Sequence, residues 1–128
     1  GAQGWVSFAG RLNDEELLDL YRRASLVASA SLREGWGMTL TEAAACGTPA
    51  VASDIAGHRD AVDAGRSGLL VKDAMDIGKT IADLLDSPER LSQLSEGALA
   101  RAAELSWDAT ASGVLEAFKG QFPPLVQR

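Results

Sequence analysis

The chain has 128 residues, 46 % hydrophobic and 23 % charged, with a formal net charge of −6, which describes one globular domain able to bury a core without disulfide or metal. An acidic chain with no run of Lys or Arg excludes a phosphate-neutralising nucleic-acid surface. No apolar stretch approaches the ~18 residues of a membrane span, and no charged-then-apolar leader opens the chain.

Trp5-Val6-Ser7-Phe8 is aromatic and β-branched and stops at Gly10, so we expect a first strand there. Asn13, with Glu16 three positions on, forms a capping box that opens a helix whose Leu17, Leu18, Tyr21 and Ala24 make one apolar stripe. Leu26 to Ser29 follows with little alternation, as in a strand covered on both faces. After the loop Ser29–Met38, a helix from about Thr39 to Ala45 ends at Gly47, and Thr48-Pro49 leads into a third strand, Ala50–Ala52. A short helix spans Gly57–Val62, and Leu69–Val71 is the fourth strand. Asp76–Leu85, Pro88–Leu105 and Trp107–Phe118 are expected helices, the second opened by Ser87 with Pro88 at its first position and the third capped by Ser106. Strands alternating with helices imply an α/β protein with a Rossmann-like parallel sheet of about four strands. Pro123-Pro124 marks a frayed tail.

The informative stretch is Glu34-Gly-Trp-Gly-Met-Thr-Leu-Thr-Glu42. Ligands of open parallel sheets sit outside the carboxyl ends of strands, where this loop leaves its strand and enters a helix. The first turn of a helix carries unpaired N–H groups and roughly +0.5 of a charge, so it attracts phosphate without basic side chains. Gly35 and Gly37 let a ligand approach the backbone. Carboxylates bind hydroxyls rather than phosphate, so Glu34 and Glu42, opening onto one cleft, describe a nucleotide sugar. Structural alternatives exist: Thr39–Glu42 is itself a capping-box pattern, and Glu34 is by default a solvated loop charge. Ser53 and Asp54 fit turn and cap roles. The residues leave open whether His58, the only histidine, lies on the surface or beside the phosphates. Cys46, the only cysteine, is expected to be a small buried hydrophobe in a reducing compartment.

Glu34-Gly35-Trp36-Gly37-Met38, Glu42-Ala43 and Ala45-Cys46-Gly47-Thr48-Pro49-Ala50-Val51-Ala52-Ser53-Asp54 together resemble the retaining GT-B glycosyltransferases of the group 1, or family 4, type. Val6–Leu12, Tyr21–Ala24, Gly68–Val71 and Ser106-Trp107 fit the same pattern. Trp36 stands for the usual Phe, Ala56-Gly57 for a double glycine, and Asp60 for a common Glu. The resemblance implies that the chain is part of a C-terminal GT-B domain that binds a nucleoside diphosphate sugar. Residues 1–105 would belong to the Rossmann-like unit, and residues 106–128 to a C-terminal helix returning toward an N-terminal domain. By the same resemblance, Glu34 is the catalytic-site residue facing the donor sugar, with Gly35, Trp36, Gly37, Met38 and Thr39 offering groups to sugar and diphosphate. Glu42 would bind the ribose, and Gly10-Arg11-Leu12 would lie against the base.

The family's basic pair for the diphosphate and its acceptor domain are not among these residues, and the chain opens without an initiating Met. We therefore expect a piece of a longer enzyme, inactive alone and prone to self-association. No metal or other cofactor is expected, since no Asp-x-Asp pair occurs. The expected location is cytoplasmic, with membrane contact left to the parent. Two alternatives are a sugar-nucleotide-binding protein without transferase activity and a receiver-like regulatory domain. Asp54 and Lys72 lend the receiver superficial support, but it lacks an acidic pair after its first strand.

Overall fold

The computed structural model describes residues 4–121, with side chains to residue 119. Among these residues the sheet has three parallel strands in the order β1 (Val27–Ser29), β2 (Ala50–Ser53), β3 (Gly68–Val71). Val27 pairs with Ala50, and Ala50 with Gly68. Six α-helices surround them, α1 ahead of the first strand and the rest between or after the strands: α1 (Asp14–Arg23), α2 (Met38–Ala45), α3 (Ala56–Ala61), α4 (Ile77–Leu85), α5 (Pro88–Glu104) and α6 (Trp107–Gln121).

β2 is central and buried throughout, and its alternating side chains divide the core in two. Ala50 and Ala52 pack with Leu40, Ala61 and Val62 from the α2 and α3 side. Val51 points the other way, into Ile77, Leu84 and Leu94 of α4 and α5. Helices thus cover both faces, as the unalternating strands predict. The N-terminus of α1 carries the expected capping box, with the Asn13 side chain accepting from the Glu16 amide and the Glu16 carboxylate accepting from Asn13, both at 2.9 Å. Ser106 Oγ accepts from the Ala109 amide at the start of α6. Thr48, buried beside the fully buried Pro49, donates to the Tyr21 carbonyl at 2.6 Å and ties the end of α1 to the turn before β2.

Two expectations fail. Trp5–Phe8 is not a strand, and Trp5 and Phe8 are 81 % and 95 % exposed, so the sheet has three strands rather than about four. β propensity forms a strand only beside a partner that takes up its N–H and C=O groups, and this segment has none. Cys46 is half-buried rather than buried, because it caps the C-terminus of α2 where that helix faces α1. α6 is exposed along its described side chains, with Trp107 at 88 % and Leu115 at 60 %. Phe122 and Pro123-Pro124 lie outside the described residues.

Candidate functional site

The loop after β1 enters α2 through Gly37, which adopts φ 79°, a left-handed conformation that a side chain would resist. A Cβ there would also press the His58 ring, 3.1 Å from Cδ2. Gly37 contributes no side-chain cap, so the first amides of α2 face outward from the carboxyl end of the sheet. Thr39 falls inside the helix rather than at its cap, so Thr39–Glu42 is not a capping box. Thr41 instead donates to the Met38 carbonyl at 2.9 Å. The capping alternative for Glu42 therefore fails.

Glu42 lies on the α1 side of α2 and accepts from the Tyr21 hydroxyl at 3.1 Å. Tyr21 is buried, and burial, followed by the neighbouring Glu42 carboxylate, pushes its phenol up to about 12. It is a neutral, fixed donor. The two residues line a hollow of about 360 Å³ with Asp14, Leu17, Arg22 and Cys46. Arg11 and Leu12 border a neighbouring hollow that also touches Asp14, and Gly10, at φ 65°, turns the chain into it.

Glu34 is exposed but not free, since its Oε1 accepts from Ser31 Oγ at 2.9 Å. It is not among the residues lining the Glu42 hollow; the two motif carboxylates make their hydrogen bonds to different elements, one to the β1 loop and one to α1. Trp36 is 38 % exposed and Met38 67 %, and Gly35 and Thr39 are exposed as well. The floor of the loop is α3. Gly57 approaches so closely that a Cβ would stand 2.9 Å from the Glu34 carbonyl carbon and 3.0 Å from that of Gly35, nearer still to the Glu34 oxygen. Ala56 is exposed, so only the second position of this turn requires glycine, which accounts for the tolerated departure from a double glycine.

Ser29, Ser31, Tyr21 and His58 join the site without having been assigned to it by sequence. Of these, only His58 was raised by the sequence, as a residue on the surface or beside the phosphates. His58 is wholly buried. Asp54 forms an ion pair with Arg59 at 2.5 Å, whose hydrogen bond is the main reason that its carboxyl is held below the usual range. Asp54 is thus a turn residue with a partner, and not a phosphoacceptor.

A parallel sheet wrapped by helices, with an uncapped helix terminus at its carboxyl edge, defines an α/β domain of Rossmann-like build. The family described as Glycosyl transferases group 1 matches residues 1–101, and the chain belongs to it. It is similar to the D-inositol 3-phosphate glycosyltransferase of Thermobispora bispora, 43 % identical over 105 residues, which are 80 % of this chain and 24 % of that protein. The Frankia alni enzyme of the same name is 40 % identical over 97 % of this chain and 31 % of its own length. Among solved structures, sucrose-phosphate synthase from Thermosynechococcus elongatus superposes with a TM-score of 0.74 and 29 % identity, covering 94 % of this chain and 32 % of that one. Anabaena HepE, solved with UDP and glucose, gives 0.72 over 90 % and 32 % at 24 % identity, a likeness of fold. The chain spans about a quarter to a third of these proteins, and the expected partial GT-B domain of Rossmann-like build holds.

Proposed function

We propose that the chain is part of the donor site of a retaining glycosyltransferase of the family 4 type, which transfers a hexose-like sugar from a nucleoside diphosphate without a metal. The observation that carries this reading is the α2 terminus: uncapped, entered through a left-handed glycine, and fronted by the exposed Glu34 carboxylate. Met38 and Thr39 offer N–H groups to the diphosphate, with Gly35, Trp36 and Gly37 beside the sugar, and Glu34 accepts from sugar hydroxyls. Glu42 accepts from the ribose, its second oxygen already fixed by Tyr21. Arg11 and Leu12 face the adjoining hollow, which suits a base joined to that ribose. Metal independence is supported by the absence of an Asp-x-Asp pair from the sequence.

Stabilisation of the leaving diphosphate and the acceptor site then fall to other parts of a longer parent. Alone, the 128 residues would bind a nucleoside diphosphate weakly and transfer nothing. We assign a cytoplasmic location, with membrane contact, where present, made by the rest of the parent. The test is a ligand-detected NMR screen of UDP-, GDP- and ADP-glucose on the full-length protein, with the anomeric configuration of the product read directly. Binding of one donor and a product of unchanged configuration are expected. Binding of none, or inversion, overturns the proposal, and binding without transfer to any acceptor favours a sugar-nucleotide-binding protein.

A further inference from the structure

His58 is the one titratable group at this site with no surface exposure, and nothing in the donor reading uses it. Each edge of its ring is engaged. Nδ1 donates to the Ser53 carbonyl at 2.8 Å and lies 3.2 Å from Ser53 Oγ, which is itself spent as a donor to the Ser31 carbonyl at 2.6 Å. Cδ2 lies under Gly37, where a Cβ would be 3.1 Å away. Nε2 faces Ser29 Oγ at 3.3 Å, Ser29 Oγ faces Ser31 Oγ at 3.3 Å, and Ser31 Oγ donates to Glu34 Oε1 at 2.9 Å.

Anchoring a buried ring would need only the Ser53 contacts. A buried polar nitrogen costs stability unless it is partnered, and an aliphatic side chain would fill the same volume. Here the second nitrogen opens a line of hydroxyls that ends on the exposed carboxylate. We infer that His58 is a positioning residue for Glu34, acting from α3 through Ser29 and Ser31; the inference rests on Glu34 being the donor-sugar residue proposed above. The line holds one oxygen of Glu34 and leaves the other for the ligand, so that less side-chain freedom is lost when the sugar binds. With Nδ1 donating to Ser53 and Ser31 donating to Glu34, the one remaining proton, on Ser29 Oγ, makes only one of the two 3.3 Å links a hydrogen bond at a time, at the long end of that range, so the coupling from His58 to Glu34 is modest.

The test uses the full-length protein with whichever of UDP-, GDP- and ADP-glucose binds, against the matching bare nucleoside diphosphate. Ser29→Ala removes one oxygen from the middle of the line and leaves the ring packed. It should weaken the sugar nucleotide about 3- to 10-fold, the loss of one ordinary hydrogen bond, while affinity for the bare diphosphate stays unchanged; the melting temperature should fall by a few degrees, because the buried Nε2 loses its partner. His58→Leu should show the same selectivity, and His58→Gln, which keeps a polar end, should recover part of it. Glu34→Gln is the reference for the donor-sugar reading. If Glu34→Gln is sugar-selective and Ser29→Ala is silent, or weakens both ligands equally, the positioning role is wrong. If Glu34→Gln shows no sugar selectivity, the donor-sugar assignment falls first and takes this inference with it.

Discussion

Gly57→Ala isolates what α3 does for the site. The added Cβ would meet the Glu34 and Gly35 carbonyl carbons at 2.9 and 3.0 Å, where ordinary contacts begin at 3.4 Å. Both neighbours are backbone, so no rotamer change relieves the clash, and the loop must move by half an ångström or more. Overpacking of this kind costs about 1–3 kcal/mol, partly offset by the ~1 kcal/mol that Ala gains over Gly in a helix. The net loss is about 0–2 kcal/mol, or up to roughly 8 °C in melting temperature for a domain of this size. Because a 1 Å misplacement of a reacting group costs about 100-fold, half of that should lower kcat by about 10-fold. Gly113→Ala in α6, with nothing within 4 Å of its Cβ, is the control and should stabilise by about 0.5–1 kcal/mol. Calorimetry of the two variants, and steady-state kinetics of the same substitutions in the full-length protein, decide the matter: a Gly57→Ala protein that melts no lower than wild type and keeps its kcat would refute the account of α3 as the floor of the loop.

Tyr21→Phe should flatten the alkaline loss of stability. A phenol raised from 10.0 to about 12 in the fold, chiefly by burial, contributes stability that is fully present below pH 10 and is lost as pH rises through 12, so the wild type should lose stability across that window relative to its value below pH 10 while the variant loses less; equal slopes for the two proteins would count against it. Glu42→Ala should weaken donor binding by about 1.5–3 kcal/mol, or 10- to 150-fold, the range for a hydrogen bond to a charged group. Glu42 caps no helix end but accepts from Tyr21, so the melting temperature should fall by a few degrees as well; a fall in stability with intact donor affinity would reverse the assignment. In the isolated chain, the exposed Trp107, Val114 and Leu115 on α6 should drive association, which light scattering across a concentration series reads directly and Trp107→Gln with Leu115→Gln should suppress. A wild-type chain that stays monomeric throughout would count against that.

Helix positions were legible because capping and periodicity act over three or four residues. Asn13 with Glu16, Ser106, and Pro88 all sit where local rules put them. Trp5–Phe8 obeyed the local rule for a strand and formed none, because strand formation depends on a neighbour that the segment itself does not encode. The Glu34 loop was legible from its glycines and carboxylates. Its supports were not: Ser31 to Glu34 is three residues, but Ser29 to His58 is 29 and Tyr21 to Glu42 is 21. Tyr21 was legible as part of an apolar stripe, which its ring obeys, while its hydroxyl is spent on a partner from another helix. The same limit applied to Thr39–Glu42, whose capping pattern was real in sequence but lay two residues past the N-cap of a helix that begins at Met38.

The electrostatics of the site also bear on how much of the donor it can hold. The chain carries a net charge of −6, and Glu34, Glu42 and Asp14 stand around the proposed donor path, with Arg22 and Arg11 on the adjoining hollows. Against this the α2 terminus offers roughly half a positive charge, while a diphosphate carries several times as much negative charge. Amides can fix the orientation of such an anion but cannot by themselves offset its desolvation, which calls for charge-assisted bonds from Lys or Arg. On the proposed donor reading, the carboxylates meet hydroxyls and the helix terminus meets the phosphates. A division of labour follows from that proposal, in which this part of the molecule reads the shape and hydroxyls of the donor. The cations that make binding tight would then come from the two thirds or more of the relatives' length that the chain does not span.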